Sequence, residues 1–191
     1  MPFSCRCGTL AGVVSNAGAK NGMHVVCHCA DCQDFAKVLG AQKYVLDTHD
    51  GTALYQTRCN RVTFTRGKER LACLHLTRKP TLRWYAACCD TPLANTFATG
   101  TLPYFTMLLA NADIDARHAL GPPIGHLFVQ DAANPPAGEA NMSILRLVAS
   151  VIPRMAKDIV SGGRRRSPLF DPGTLQPVAT PRRIADERAA T

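Results

Sequence analysis

Through about residue 95, apolar residues come in short runs separated by turn-forming residues. Residues 10–14, 24–26, 43–46, 61–65, 71–76 and 81–85 are each strand-sized and rich in Val, Leu, Thr, Tyr or Phe. Asn16-Ala17-Gly18, Asn21-Gly22, Asp50-Gly51 and Gly67 mark turns between them. This alternation predicts a compact antiparallel sheet or a small sandwich. Residues 31–38 read as one or two helical turns. After about Gly100 the texture changes. Residues 102–109 read as a short helix or an apolar insertion, and residues 119–125 and 134–138 as Pro/Gly loops. Asn141 is a plausible N-cap for a helix over residues 142–161, whose Ile144, Leu145, Val148, Val151, Ile152, Met155 and Ile159 fall mostly on one face. Pro153 should kink or divide that helix. The pattern thus divides the chain into a β domain over 1–100, a helical extension packed on it over 101–163, and an extended Pro/Arg-rich tail over 164–191, an α+β chain overall.

Composition narrows the class. At 191 residues with 46% hydrophobic and 19% charged residues, the chain has the makeup of a globular protein. Its net charge of +8 is concentrated in the first hundred residues. A basic surface suits nucleic acid, acidic lipid or a small anion, or is simply solvated. Arg164-Arg165-Arg166 offers the same two readings. No uncharged apolar run approaches membrane-spanning length, and the first residues do not resemble a signal peptide, so a cytoplasmic chain with no membrane partner is expected.

Nine cysteines are many for this length. In a cytosolic setting, clustered cysteines point to metal or catalysis and not to disulfides. Cys27-His28-Cys29-Ala30-Asp31-Cys32 places three thiols within six residues. A backbone that turns tightly after a strand can aim all three at one tetrahedral cation, and zinc suits sulfur ligands. Three protein ligands leave one position open, the arrangement of a catalytic zinc; a fourth ligand such as Cys59 or Cys73 would close it into a structural one. Cys73 alternates with apolar residues and reads as core. His28 reads better as a supporting group than as a ligand, and Asp31 and Asp34 as hydrogen-bond acceptors or solvated carboxylates. Cys5-Arg6-Cys7 and Cys88-Cys89 form a second candidate set, provided that a turn at Cys88-Cys89-Asp90 lets adjacent side chains point the same way.

These segments resemble the glutathione-dependent formaldehyde-activating enzymes and their centromere protein V relatives, which have the Mss4-like fold. The resemblance is carried by Ser4-Cys5-Arg6-Cys7-Gly8, Cys27-His28-Cys29-Ala30-Asp31-Cys32-Gln33, Phe64-Thr65-Arg66-Gly67-Lys68 and Tyr85-Ala86-Ala87-Cys88-Cys89-Asp90-Thr91-Pro92-Leu93, and covers about the first half of the chain. It implies small stacked antiparallel sheets and two zinc sites. Cys27, Cys29 and Cys32 would be catalytic zinc ligands; Cys5, Cys7 and Cys89 would be structural ones. Ala86 stands where the family's C-x-x-C-G segment has its first cysteine, and Asp90 where it has glycine. Either Cys88 substitutes as fourth ligand or the site is lost.

The resemblance also implies a reaction, addition of the glutathione thiol to formaldehyde, by a carbon–sulfur lyase or synthase. Glutathione would be the co-substrate, with Arg6, Lys37, Arg58, Arg61 and Arg66 as candidates for its carboxylates. Two other readings stand beside it. One is a zinc-stabilised module binding protein or nucleic acid without chemistry, nucleic acid being the less favoured partner; the other is a thiol-transfer protein using unmetallated Cys29 or Cys32. The long C-terminal helix would cover the site, cap a sheet edge or form a dimer interface.

Overall fold

The computed structural model describes residues 1–184; within the tail, residues 185–191 lie outside the described part. The chain is mainly β, with two sheets and a few helices. Strands β1 (Pro2–Ser4), β2 (Ala11–Val14) and β5 (Val62–Arg66) form a three-stranded antiparallel sheet in the order β1-β2-β5. The larger sheet comprises β3 (Met23–Cys27), β4 (Thr52–Arg58), β6 (Leu71–His75), β7 (Thr81–Ala86), β8 (Thr91–Phe97), β9 (Tyr104–Leu108), β10 (His126–Leu127) and β11 (Arg182–Arg183). Its order is β10-β3-β4-β9-β8-β7-β6-β11, antiparallel except at the two short edge strands. The helices are α1 (Ala30–Val38), α2 (Gln42–Val45), α3 (Ile114–His118) and α4 (Ile144–Val160).

The large sheet is buried on both faces, and strand alternation assigns its residues to two cores. Trp84, Cys73, Tyr55, Phe105 and Met107 point to one side, where Phe3, Leu10, Val14 and Val62 of the small sheet meet them. Tyr85, Leu74, Leu54 and Leu108 point to the other, under Phe35 and Ala36 of α1, Val45 of α2, and Val151 and Met155 of α4. Trp84 is fully buried, donates its indole N–H to Thr96 Oγ1 at 2.9 Å and meets Phe170 edge-on. Gly67 sits at φ 67° at the end of β5, where a Cβ would run into the Thr9 carbonyl, so the chain can reverse there only with glycine.

Four local expectations are corrected. Residues 43–46 lie in α2 and its C-cap and not in a strand: Tyr44 and Val45 have β-forming side chains, but their N–H groups bond back to Ala41 O. Residues 102–109 supply β9, which lies between β4 and β8, so the sheet does not end at residue 100; its two neighbours satisfy both edges of a segment whose apolar run alone does not distinguish strand from helix. Pro153 does not divide α4, which is continuous from Ile144 to Val160, and its cap is Ser143. Asn141 instead accepts from Val129 N and donates to Gln130.

The core-facing side of α4 is held by polar anchors to β4. The Arg58 guanidinium pairs with the fully buried Asp158 carboxylate, Nε donating to Oδ1 at 2.6 Å, and Arg154 donates to Gln56 Oε1 at 2.9 Å. No helix among the described residues is long and apolar enough to cross a membrane.

Candidate metal centre

Cys27 is the last residue of β3, Cys29 occupies the N-cap of α1, and Cys32 lies in its first turn. Two features force the chain to turn there. Cys32 and Gln33 N–H groups bond back to Cys29 O, and the buried Gln33 side chain donates to His28 O at 2.8 Å and Asp131 O at 3.0 Å. The result brings three sulfurs together: Cys27 to Cys29 at 3.4 Å and Cys27 to Cys32 at 3.7 Å. Tetrahedral sulfur at the zinc–thiolate bond length has S···S edges of about 3.8 Å. The observed spacings lie close to that edge, and this group could hold an ion. Among the described residues no other His, Cys, Asp or Glu joins it. Cys59 lies 3.5 Å from Asp158 Oδ2 and Cys73 3.3 Å from Ala179 O, both in the opposite core, so neither closes the site.

Charge around the cluster is arranged for thiolates. Arg83, 5% exposed, points an N–H at Cys32 Sγ from 3.5 Å and donates to Asn95 Oδ1 at 2.9 Å. The neighbouring Cys27 and Cys29 thiols, with Arg83, hold Cys32 well below the ordinary thiol range, and the same sharing pushes Cys27 up. The positive end of α1 acts in the same direction. Asp31 pairs with Lys79 at 2.9 Å and lies 3.9 Å from Arg83. His28 is fully buried and bonded away from the sulfurs, to His49 O at 2.8 Å and His126 Nδ1 at 3.0 Å, so it supports the loop and is no ligand. Asp34 makes a surface pair with Lys37.

The second group joins the two sheets. Cys5 and Cys7 lie in the β1–β2 turn, Cys88 and Cys89 in the β7–β8 turn. Asp90 takes φ 50°, which reverses the chain and lets both adjacent cysteines face Cys5 and Cys7. Cys5 to Cys7 is 3.6 Å, Cys5 to Cys88 3.8 Å, Cys7 to Cys88 3.4 Å and Cys88 to Cys89 3.8 Å. Cys88 thus stands with the other three despite Ala86, and four sulfurs at these spacings could hold an ion in a closed set. Thr9 lies 3.3 Å from Cys7 and holds that thiol down to about 6; Leu10 N–H donates to Cys5 Sγ at 3.2 Å.

The three-sulfur group opens onto a cleft of about 690 Å³ between the large sheet and α4, with Cys27, Cys29 and Cys32 in its wall. The C-terminal helix α4 covers the site: Val148, Val151, Ile152 and Met155 line the cleft. The cations there are Lys79 and Arg83. None of the five named from sequence lines it. Arg6 stacks over Tyr44, Lys37 pairs with Asp34, Arg58 with Asp158, Arg61 donates to Asn21 and Arg66 to Gly8 O. A signal for Arg83 existed, a charged residue inside the apolar run Leu82-Arg83-Trp84. The Arg164, Arg165 and Arg166 side chains donate to Thr101, Pro172 and Ser161 carbonyls, fastening the segment after α4.

Comparison with known proteins adds the following. No curated protein matches the chain. A crystal structure of a Rhodobacter sphaeroides protein is similar at 16% identity and a TM-score of 0.43, over 64% of this chain and 97% of that one; a likeness at that level carries no argument. The model of a family of unknown function, DUF6151, matches residues 1–181. The chain, with both cysteine groups and the covering helix inside the matched span, belongs to that family.

Proposed function

We propose that this is a two-zinc protein in which the Cys5, Cys7, Cys88 and Cys89 site is structural and the Cys27, Cys29 and Cys32 site handles a thiol. The reading is of a carbon–sulfur lyase or synthase resembling the glutathione-dependent formaldehyde-activating enzymes, with glutathione the thiol that the resemblance implies. The observation that carries it is a three-sulfur group in the wall of a cleft, with no fourth ligand from the described residues. Zinc held there supplies positive charge that keeps an incoming thiol ionised at neutral pH.

The chain's own residues supply the rest. Cys27, Cys29 and Cys32 hold the ion, and Arg83, fixed by Asn95, offsets their negative charge. The apolar lining from α4 excludes water from the reacting atoms. Addition of the thiol to an aldehyde forms one C–S bond and breaks the C=O π bond. The thiol proton ends on the former carbonyl oxygen, and no oxidant or reductant is needed. The reverse reaction regenerates thiol and aldehyde.

The test replaces zinc by cobalt(II) and follows the sulfur-to-cobalt absorption while a small thiol is added. A new band growing to one thiol per chain, absent from Cys29→Ser, is expected. A spectrum unchanged at millimolar thiol would leave the site closed and support a zinc-stabilised binding module instead.

A further inference from the structure

The lining of the cleft beyond the sulfurs does not suit a charged tripeptide. Its two cations and two carboxylates balance, and all four already have partners: Lys79 and Asp31 pair with each other, Arg83 is bonded to Cys32 and Asn95, and Asp131 accepts from Ala30 N. Asn95 also donates to Thr106 Oγ1 at 3.2 Å, which closes the polar floor on itself. Three thiolates outweigh the charge of one divalent ion, so this end of the cleft has no spare positive charge for a substrate's carboxylates. Apart from Thr81 and Tyr104, the remaining surface is apolar. Leu102, Phe128, Val148 and Ile152 are large apolar side chains at 45–54% exposure, and all four line this cleft. Exposing them together costs free energy that an apolar occupant would recover.

We infer that the thiol taken by this cleft has an apolar body in place of the two carboxylates of glutathione. A cleft of about 690 Å³ has ample room for an alkyl chain of about eight or more carbons. The sulfur meets the Cys27 site and the chain lies along α4. This rests on the metal–thiol reading of that site and narrows its substrate class.

The test is calorimetric titration of the zinc-loaded full chain with n-butanethiol, n-hexanethiol, n-octanethiol and glutathione, with the matching n-alkanols in parallel. Each added methylene should tighten thiol binding by about two- to fourfold, and n-octanethiol should bind at least about tenfold tighter than glutathione. Ile152→Glu, at a half-exposed wall position, should weaken n-octanethiol by about fivefold or more. Glutathione binding as tightly as n-octanethiol overturns the inference. So does thiol binding with no chain-length dependence, which leaves the metal–thiol reading standing. Alkanols binding as tightly as thiols, with the same chain-length dependence, uphold the apolar body and overturn the metal–thiol reading.

Discussion

Arg83 occupies a position in β7 whose neighbours Leu82 and Trp84 are fully buried, and its charge is tolerated because Cys32, Asn95 and Asp31 surround it. Burial opposes the charged guanidinium, and the Cys32 sulfur outweighs that, raising its pKa. Arg83→Met should therefore act on the ion before it acts on the fold. Zinc affinity at the Cys27 site is expected to fall about 10- to 100-fold, with the other site unchanged, by competition with a chromophoric chelator. Asp158 is the contrasting case, a buried carboxylate serving structure. Asp158→Ala leaves the half-buried Arg58 without its counter-charge and should cost about 3 kcal/mol, the low end for breaking a buried pair, in denaturant unfolding. All seven cysteines picked out from sequence stand in one of the two groups: close spacing along the chain constrains Cys27, Cys29 and Cys32, whereas the fold brings Cys5 and Cys7 to the distant Cys88 and Cys89. The charge of Arg83 inside an apolar run was visible, but nothing in the sequence placed Arg83 or Lys79 at the site, since only the sheet register and the Asp31 pairing bring them beside Cys32.

Among the elements, those with a strong local pattern were readable: β2, β3, β5, β6, β7, α1 and α4. Three central strands were not, β9 among them because its apolar run suits helix and strand alike. β8 carries Pro92, which sheet interiors usually reject, and it fits because the register of β7 and β8 shifts between Trp84 and Tyr85, where Tyr85 faces Pro92. β4 mixes polar and apolar residues, and its Gln56, Thr57 and Thr52 are buried all the same. The β7–β8 turn matters most for stability, because its Cys88 and Cys89 tie the large sheet to the β1–β2 turn. Cys88→Ser should release one ion and cost more than about 3 kcal/mol. For a chain of this size that is a fall in Tm of roughly 10 °C in calorimetry.

At the scale of the molecule, the proposed function gives the two cysteine groups different tasks because they stand in different places. One lies where the two sheets meet and has four sulfurs, the other lies at a helix N-terminus under α4 and has three. Losing the first should loosen the fold, and losing the second should leave it intact. Metal content by mass spectrometry, with circular dichroism, on the purified chain and on Cys29→Ser tests this most directly. The expected result is two zinc ions per chain in the unmodified protein and one in Cys29→Ser, with its β spectrum and unfolding transition retained. A chain that binds no metal, or a Cys29→Ser variant that unfolds as it loses its zinc, would contradict it.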